Sequence, residues 1–212
     1  MAGRICQGPQ GKPTVTPLET KAELRQRILA RLKSLTATER AARSEILCHR
    51  LIEQEFWKRA KTVLLFAPLP DEVNIWPVLE HALAEGKIVT LPRHNQLDNS
   101  YTAAQVTDPS RNLVTATFGI REPAPSCREI SLAQIDLALI PGVGFDLAGG
   151  RLGRGRGFYD RLLAEFPGVK CAVVLDEQIA NEIPSEQHDV RMNVILTGTR
   201  IIWVNDIGQP LR

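Results

Sequence analysis

Several short runs in this chain are almost wholly apolar: TVLLFAP (62–68), IDLALIPGVGFD (135–146), CAVVLD (171–176) and NVILT (193–197). A strand with one wet face alternates apolar and polar residues. A strand covered on both faces reads as a continuous apolar run. Several such runs in one chain require a sheet with cover on each side, and the intervening segments carry helical patterns. Thr20-Lys-Ala-Glu23 has capping-box spacing, and Leu24, Ile28, Leu32 and Leu35 follow at helical intervals. A second box, Thr36-Ala-Thr-Glu39, opens a helix through Ile46, Leu47 and Leu51 that is expected to reach Trp57. Pro77 and Gly86 bracket a third helix, VLEHALAE. The alternation predicts a three-layer α/β fold, its largely parallel central sheet flanked by helices.

Further strands are read at IVTLP (88–92), LVTATF (113–118) and IIWVN (201–205), with GIREPAP after Phe118 as a Pro-containing turn. Between Arg93 and Asn112 no period emerges, and SYTAAQV is the one strand candidate inside a longer loop. Residues 1–17, rich in Gly, Pro and polar side chains, read as a flexible tail without the apolar core of a secretory signal. One domain is expected over 18–212.

Charge and thiols narrow the function classes. A net charge of +2 gives no general polyanion binder, so no nucleic-acid partner is expected. No run approaches the ~18 apolar residues of a membrane span. Cys6, Cys48, Cys127 and Cys171 stand far apart without a C-x-x-C pair, as free thiols of a reducing compartment do. A cytoplasmic monomer is the expectation.

Against this background one stretch stands out: GGRLGRGRGFYDR (149–161). It lies between the buried strand ending near Phe145 and a helix beginning near Gly157, whose stripe is Tyr159, Leu162, Leu163 and Phe166. Glycines let a backbone approach an anion closely, and a helix N-terminus favours negative charge. Arg151, Arg154 and Arg156 can add bidentate contacts to phosphate oxygens. Asp160, in the helix's first turn, is either an acid suited to the dipole or a ligand for a divalent cation beside phosphates. The order of residues is neither G-x-x-x-x-G-K-[ST] nor G-x-G-x-x-G.

The segment PGVGFDLAGGRLGRGRGFYDRLL closely resembles the signature of the 5-formyltetrahydrofolate cyclo-ligase family. KAELR (21–25), PDE (70–72) and GIREP (119–123) are similar to flanking segments of that family, in the expected order over roughly residues 18 to 205. The resemblance implies a fold of the sugar-phosphate isomerase and CoA-transferase group. It also implies an ATP- and Mg2+-dependent conversion of 5-formyltetrahydrofolate to 5,10-methenyltetrahydrofolate, with ADP and phosphate released, through a phosphorylated N5-formyl intermediate.

Carried over residue by residue, the resemblance assigns Lys21 and Arg25 to ATP, together with Arg151, Gly153, Arg154, Gly155, Arg156, Gly157, Phe158 and Tyr159. Glu72 matches the folate-binding glutamate, and Ala67 would line the same pocket through its backbone. Residues 154–158 would also touch the formyl end of the folate. Phe118 stands where relatives often have an aromatic near the pterin, although taken alone it reads as core. Arg154 and Tyr159 are the candidates for catalysis, Asp160 and Asp189 for Mg2+. His188 receives no role. Two departures are Phe158, where a tyrosine is common, and Asn193, where an aspartate is frequent. Competing readings are a sugar-phosphate isomerase, which would need neither metal nor the Lys21/Arg25 pair, and a non-catalytic relative, which Glu72 and Asp160 argue against.

Overall fold

The alternate residues of each buried strand divide between two hydrophobic clusters, and this division is the architecture. A computed structural model describes residues 19–95, 100–116, 119–186 and 189–204. The expected tail (1–17), Phe118 and His188 therefore lie outside the described residues. Strand β1 (Thr62–Leu64) is followed by β2 (Ile88–Asn95), β3 (Ser100–Gln105), β4 (Leu113–Thr115), β5 (Arg121–Pro123), β6 (Glu129–Ile130) and β7 (Leu137–Ile140). Then come β8 (Gly144–Phe145), β9 (Arg151–Leu152), β10 (Val169–Val173), β11 (Val194–Leu196) and β12 (Ile201–Trp203). The main sheet has eight strands in the order β12-β11-β10-β7-β1-β2-β3-β6. Its five central strands, β11 to β2, run parallel, and the outer pairings are antiparallel.

Val63, Val89, Leu137, Leu139, Cys171 and Val194 point to the cluster packed under α1 (Lys21–Lys33), α2 (Ala37–Ile52) and α4 (Trp76–Ala84). Their neighbours Leu64, Ala138, Ile140, Ala172 and Ile195 point to the other face, where α6 (Phe158–Leu163) contributes Leu162 and Leu163. With both faces dry, no polar alternation survives in these strands. Both N-terminal capping boxes form as the spacing predicts: the Thr20 and Thr36 hydroxyls accept from Glu23 and Glu39 N–H groups, and each glutamate reaches back.

Three boundaries differ from the sequence expectation. The second helix stops at Ile52, and Trp57 sits in a separate short helix, α3 (Glu55–Arg59), where it is fully buried. Six residues beyond Leu51 lies about 240° around an α-helix, so a continuous helix would have turned Trp57 off the buried stripe. GIREPAP is not only a turn: β5 pairs with β4 as a separate two-stranded ribbon, and among the described residues of LVTATF the strand covers Leu113–Thr115. Val114 of this ribbon is exposed, so core burial imposes no alternation there. Immediately before β4 lies the single turn α5 (Pro109–Asn112). Arg93–Gln105 is a hairpin rather than mostly loop, since β2 runs on to Asn95 and pairs back with β3.

A further difference shapes the site. IDLALIPGVGFD is not one strand running into the glycines. The chain leaves the sheet after β7 at Pro141, which has no N–H to continue the ladder, and β8 then pairs with β9 as a small hairpin. Asp146 holds that hairpin together from inside. Its carboxylate, 5% exposed, accepts from the N–H groups of Ala148 (2.9 Å), Gly150 (2.8 Å) and Ile183 (2.8 Å). At Gly144 a Cβ would lie 2.4 Å from Ile28 Cδ1, so the glycine admits the buried stripe of α1 against the hairpin. This contact sets the N-terminal turn of α1 beside the loop that follows β9.

Asp146→Ala would leave three N–H groups without their acceptor, two of them part-buried and one buried. A loss of about 3 kcal/mol or more is expected from such unsatisfied donors. Urea unfolding followed by circular dichroism measures it.

Candidate active site

β1 lies between β2 and β7, so the chain leaves β1 toward one edge of the sheet and later returns on its other side. Such a reversal point opens a crevice at the carboxyl ends of the parallel strands. A cavity of about 1210 Å3 lies there. Phe66, Ala67, Leu69 and Glu72 line it from beyond β1, Pro141 and Gly142 from beyond β7, and Pro92 and His94 from β2. Lys21 and Arg25 enter from α1, and the whole stretch Arg151–Leu162 forms one wall. The volume exceeds the ~300–1,000 Å3 of a single small-ligand pocket.

Gly155 (φ +93°) and Gly157 (φ +63°) carry the loop from β9 to α6 through left-handed backbone that side chains with a Cβ avoid. Gly157 caps α6 without a side-chain hydrogen bond. Because α6 has only six residues, few peptide dipoles add up at its start. The positive character of the wall therefore rests on arginines more than on the helix, a shift of emphasis from the sequence reading. Arg25 steadies the loop by donating from Nε to the Gly153 carbonyl at 2.8 Å.

Arg151 is tied differently from its neighbours. Its side chain is 5% exposed, and Nη2 donates to both oxygens of Asp160 at 2.9 and 2.8 Å. Its guanidinium also lies 5.5 Å from the centroid of the Tyr159 ring. The pair binds β9 to the first turn of α6. Arg154, which is 42% exposed, reaches Asp71 at 2.7 Å and Glu72 at 3.5 Å. Lys21 Nζ donates to Asp189 (2.8 Å) and Glu186 (2.9 Å). Burial works against the Lys21 charge, yet those two acceptors raise its pKa above the ordinary lysine value.

Glu72 is the least exposed acid of this group, with its side chain 10% exposed. Burial pushes its pKa up, against the opposing pull of the Leu69 N–H, which donates to Oε2 at 3.0 Å, and of Arg154. Burial, and then the nearby Glu72 charge, push the Tyr159 phenol well above its ordinary range. The hydroxyl therefore keeps its proton at neutral pH.

Ala67, Asp160 and Asp189 line the same cavity. Asn193 does not line it: its Oδ1 accepts the Lys170 N–H at 2.9 Å, locking β10 beside β11. The sequence reading missed an aromatic wall. Tyr101 meets Phe158 edge to face at 4.2 Å between ring centroids and lies 4.8 Å from the His94 ring. Burial, then Glu122, push the Tyr101 phenol up to about 12. The alternation of a hairpin hidden in 93–105 was the signal available, and Pro92 and the polar residues of that hairpin obscured it.

An α/β fold whose cavity at the sheet's reversal point joins an arginine-rich glycine loop to buried carboxylates suits a ligand with an anionic end. The profile of the 5-formyltetrahydrofolate cyclo-ligase family matches residues 17–198. The chain is 31% identical to the 5-formyltetrahydrofolate cyclo-ligase of Mus musculus over 193 residues, 86% of this chain and 95% of that one. It is 33% identical to that of Mycolicibacterium smegmatis over 191 residues, 85% and 95% of the two chains. The solved structure of Aquifex aeolicus 5,10-methenyltetrahydrofolate synthetase superposes with a TM-score of 0.80 at 32% identity, covering 91% of this chain and 96% of the other. The chain belongs to the 5-formyltetrahydrofolate cyclo-ligase family and is by that membership a ligase.

Since burial raises the Glu72 pKa, the folded state binds that proton more tightly than the unfolded chain does. The native state is then penalised as pH rises through the folded value, and not below the ordinary glutamate range. Glu72→Gln is expected to melt higher than the parent at pH 8 and together with it near pH 4. Thermal unfolding of both proteins at the two pH values checks this.

Proposed function

We propose that this protein uses MgATP to convert 5-formyltetrahydrofolate to 5,10-methenyltetrahydrofolate, releasing ADP and phosphate. The observation that carries the reading is one cavity lined at once by Lys21, Arg25, Arg154 and Arg156, which suit a triphosphate, and by Glu72 with the Tyr101–Phe158 wall, which suit a flat heterocycle with ring N–H groups. The named relatives act in this chemistry, and the chain covers nearly their full length.

A formamide oxygen leaves poorly. In the proposed sequence it attacks the γ-phosphorus, the bond to the β–γ bridging oxygen breaks, and ADP departs with that electron pair. The formyl carbon is then an N5-iminium phosphate. The folate's own N10 attacks this carbon, N10 loses its proton, and the C–O bond breaks to release inorganic phosphate. The N5 lone pair completes the methenyl cation. No enzyme nucleophile takes part, so orientation and charge neutralisation supply the catalysis. Arg154 neutralises charge on the transferring group, and the protonated Tyr159 donates to a phosphate or formyl oxygen. Glu72 accepts from the pterin ring, with Ala67 and Phe158 shaping the rest of that half.

Mg2+ fits the donor set. Asp160 and Asp189 are hard oxygen ligands opening on the cavity beside the arginines. This ion binds through one or two carboxylates plus substrate phosphates while keeping several waters. It would supply neutralisation of the triphosphate charge. Among the described residues no cluster of three or more candidate metal ligands occurs, which agrees with a site completed by the nucleotide. No helix among the described residues is long and apolar enough to cross a membrane. A monomer in a reducing cytoplasm accords with the free Cys48, Cys127 and Cys171.

Mixing the protein with 5-formyltetrahydrofolate is expected to raise the methenyl absorbance band with MgATP and not without it. A flat trace in both cases would overturn the reading. Arg154→Ala should lower kcat about 100-fold, the scale for removing one donor to a developing charge. Asp160→Asn, which also takes the charge partner from the buried Arg151, should lower Tm and raise the Mg2+ concentration needed for half-maximal rate severalfold. Unchanged activity at low Mg2+ would remove Asp160 from the metal site.

A further inference from the structure

Asp71 stands just outside the cavity, although its neighbour Glu72 lines it. Both belong to the turn after β1, in which Glu72 N–H donates to the Leu69 carbonyl at 2.9 Å. The turn is anchored from behind. Arg40 of α2 donates to the Asp71 carbonyl (3.3 Å) and to the Leu32 carbonyl at the end of α1 (2.8 Å). From this fixed backbone the Asp71 carboxylate holds Arg154 Nη2 at 2.7 Å, while Glu72 Oε1 waits at 3.5 Å from the same nitrogen. One guanidinium thus faces two adjacent carboxylates, one 37% exposed and one 10% exposed.

We infer that Asp71 is a positioning residue that acts through Arg154, drawing this cation to the cavity edge and limiting its hold on Glu72 to one longer contact until the phosphate half of the cavity is filled. The inference rests on the reading of Glu72 as a substrate ligand and Arg154 as a phosphate ligand. The buried carboxylate is the one for which an unpaired charge is costly, so Arg154 left alone would close on Glu72, and a guanidinium can grip a carboxylate with two parallel bonds. That grip would use up the acceptor needed for the folate. Asp71 offers a nearer partner at the wetter edge. An exposed pair of this kind is weak, and a triphosphate carrying several charges takes Arg154 from it at little cost. Asp71 then returns to water while Glu72 keeps its place against the Leu69 N–H.

The arrangement predicts that Asp71 and Glu72 act on ATP binding through one guanidinium. In Asp71→Asn Arg154 closes on Glu72, the more buried partner, so ATP should bind about two- to fivefold more weakly, the span of an ion pair of this kind. In the same variant KM for 5-formyltetrahydrofolate should rise by a comparable factor with kcat changed less. Asp71→Glu should return both values toward the parent, and adding Glu72→Gln to Asp71→Asn should return the ATP affinity. Calorimetric titration with MgATP in the absence of folate measures the ATP effects without any turnover. It therefore decides the Asp71–Arg154 linkage even if the parent protein forms no methenyl product, an outcome that would fail the proposed function instead. Unchanged or tighter ATP binding in Asp71→Asn overturns the inference. A double variant that binds ATP no better than Asp71→Asn does so too, because it marks a merely structural contact.

Discussion

The buried pairing of Arg151 with Asp160 is the interaction on which the site depends. Arg151 sits in β9, Asp160 in the first turn of α6, and the five residues 153–157 between the two elements form the glycine loop. A guanidinium this enclosed cannot be left without its carboxylate, since breaking a buried ion pair costs about 3–5 kcal/mol. The two bonds from one nitrogen to both oxygens of Asp160 therefore fix the distance that the loop must span. Gly155 and Gly157 bridge it by left-handed backbone. The Arg154 and Arg156 side chains, standing outside the pair, are left at the cavity wall. Asp160 thus joins the loop's geometry to the ligand side of the cavity.

In the proposed reading the cavity falls into a phosphate half and a heterocycle half, and charge is arranged to serve both. Lys21 and Arg154 are each held by carboxylates, at Asp189 with Glu186 and at Asp71 with Glu72. Part of the wall's positive charge is thereby paired, although an incoming triphosphate can take over these two cations one by one. Glu72 pays a standing desolvation cost, which is common where a carboxylate is kept for a ligand. Tyr101, Phe158 and His94 give the other half a flat, apolar wall built from a hairpin and the start of α6.

Much of this was legible in the residues. The continuous apolar runs betray a sheet covered on both faces, and the parallel order follows from the helices between them. Capping boxes at Thr20 and Thr36 start their helices where they should. The loop of 153–157 reads directly as glycine-permitted backbone. What escaped depends on contacts distant in sequence. Asp146 looks like part of a signature, yet its carboxylate ties down the hairpin and reaches Ile183. Arg151 reads as an anion binder and is found bonded to Asp160. Asn193 reads only as a departure from a frequent aspartate and is found joining two strands. The β4–β5 ribbon is half exposed, so burial wrote no period into LVTATF or GIREP, and the turn reading of GIREPAP failed for that reason. Tyr101 escaped because β3 is an outer strand with small and polar neighbours.

The account's central claim is that one cavity brings a triphosphate to the formyl oxygen of a folate. Following a heavy-oxygen label from the formyl group of 5-formyltetrahydrofolate tests it most directly. The label should appear in the inorganic phosphate released, one atom for each methenyl product formed, as phosphate mass spectrometry would read. Phosphate free of the label, with product still forming, would mean that the formyl oxygen leaves by another route and that the phosphoryl group never meets it.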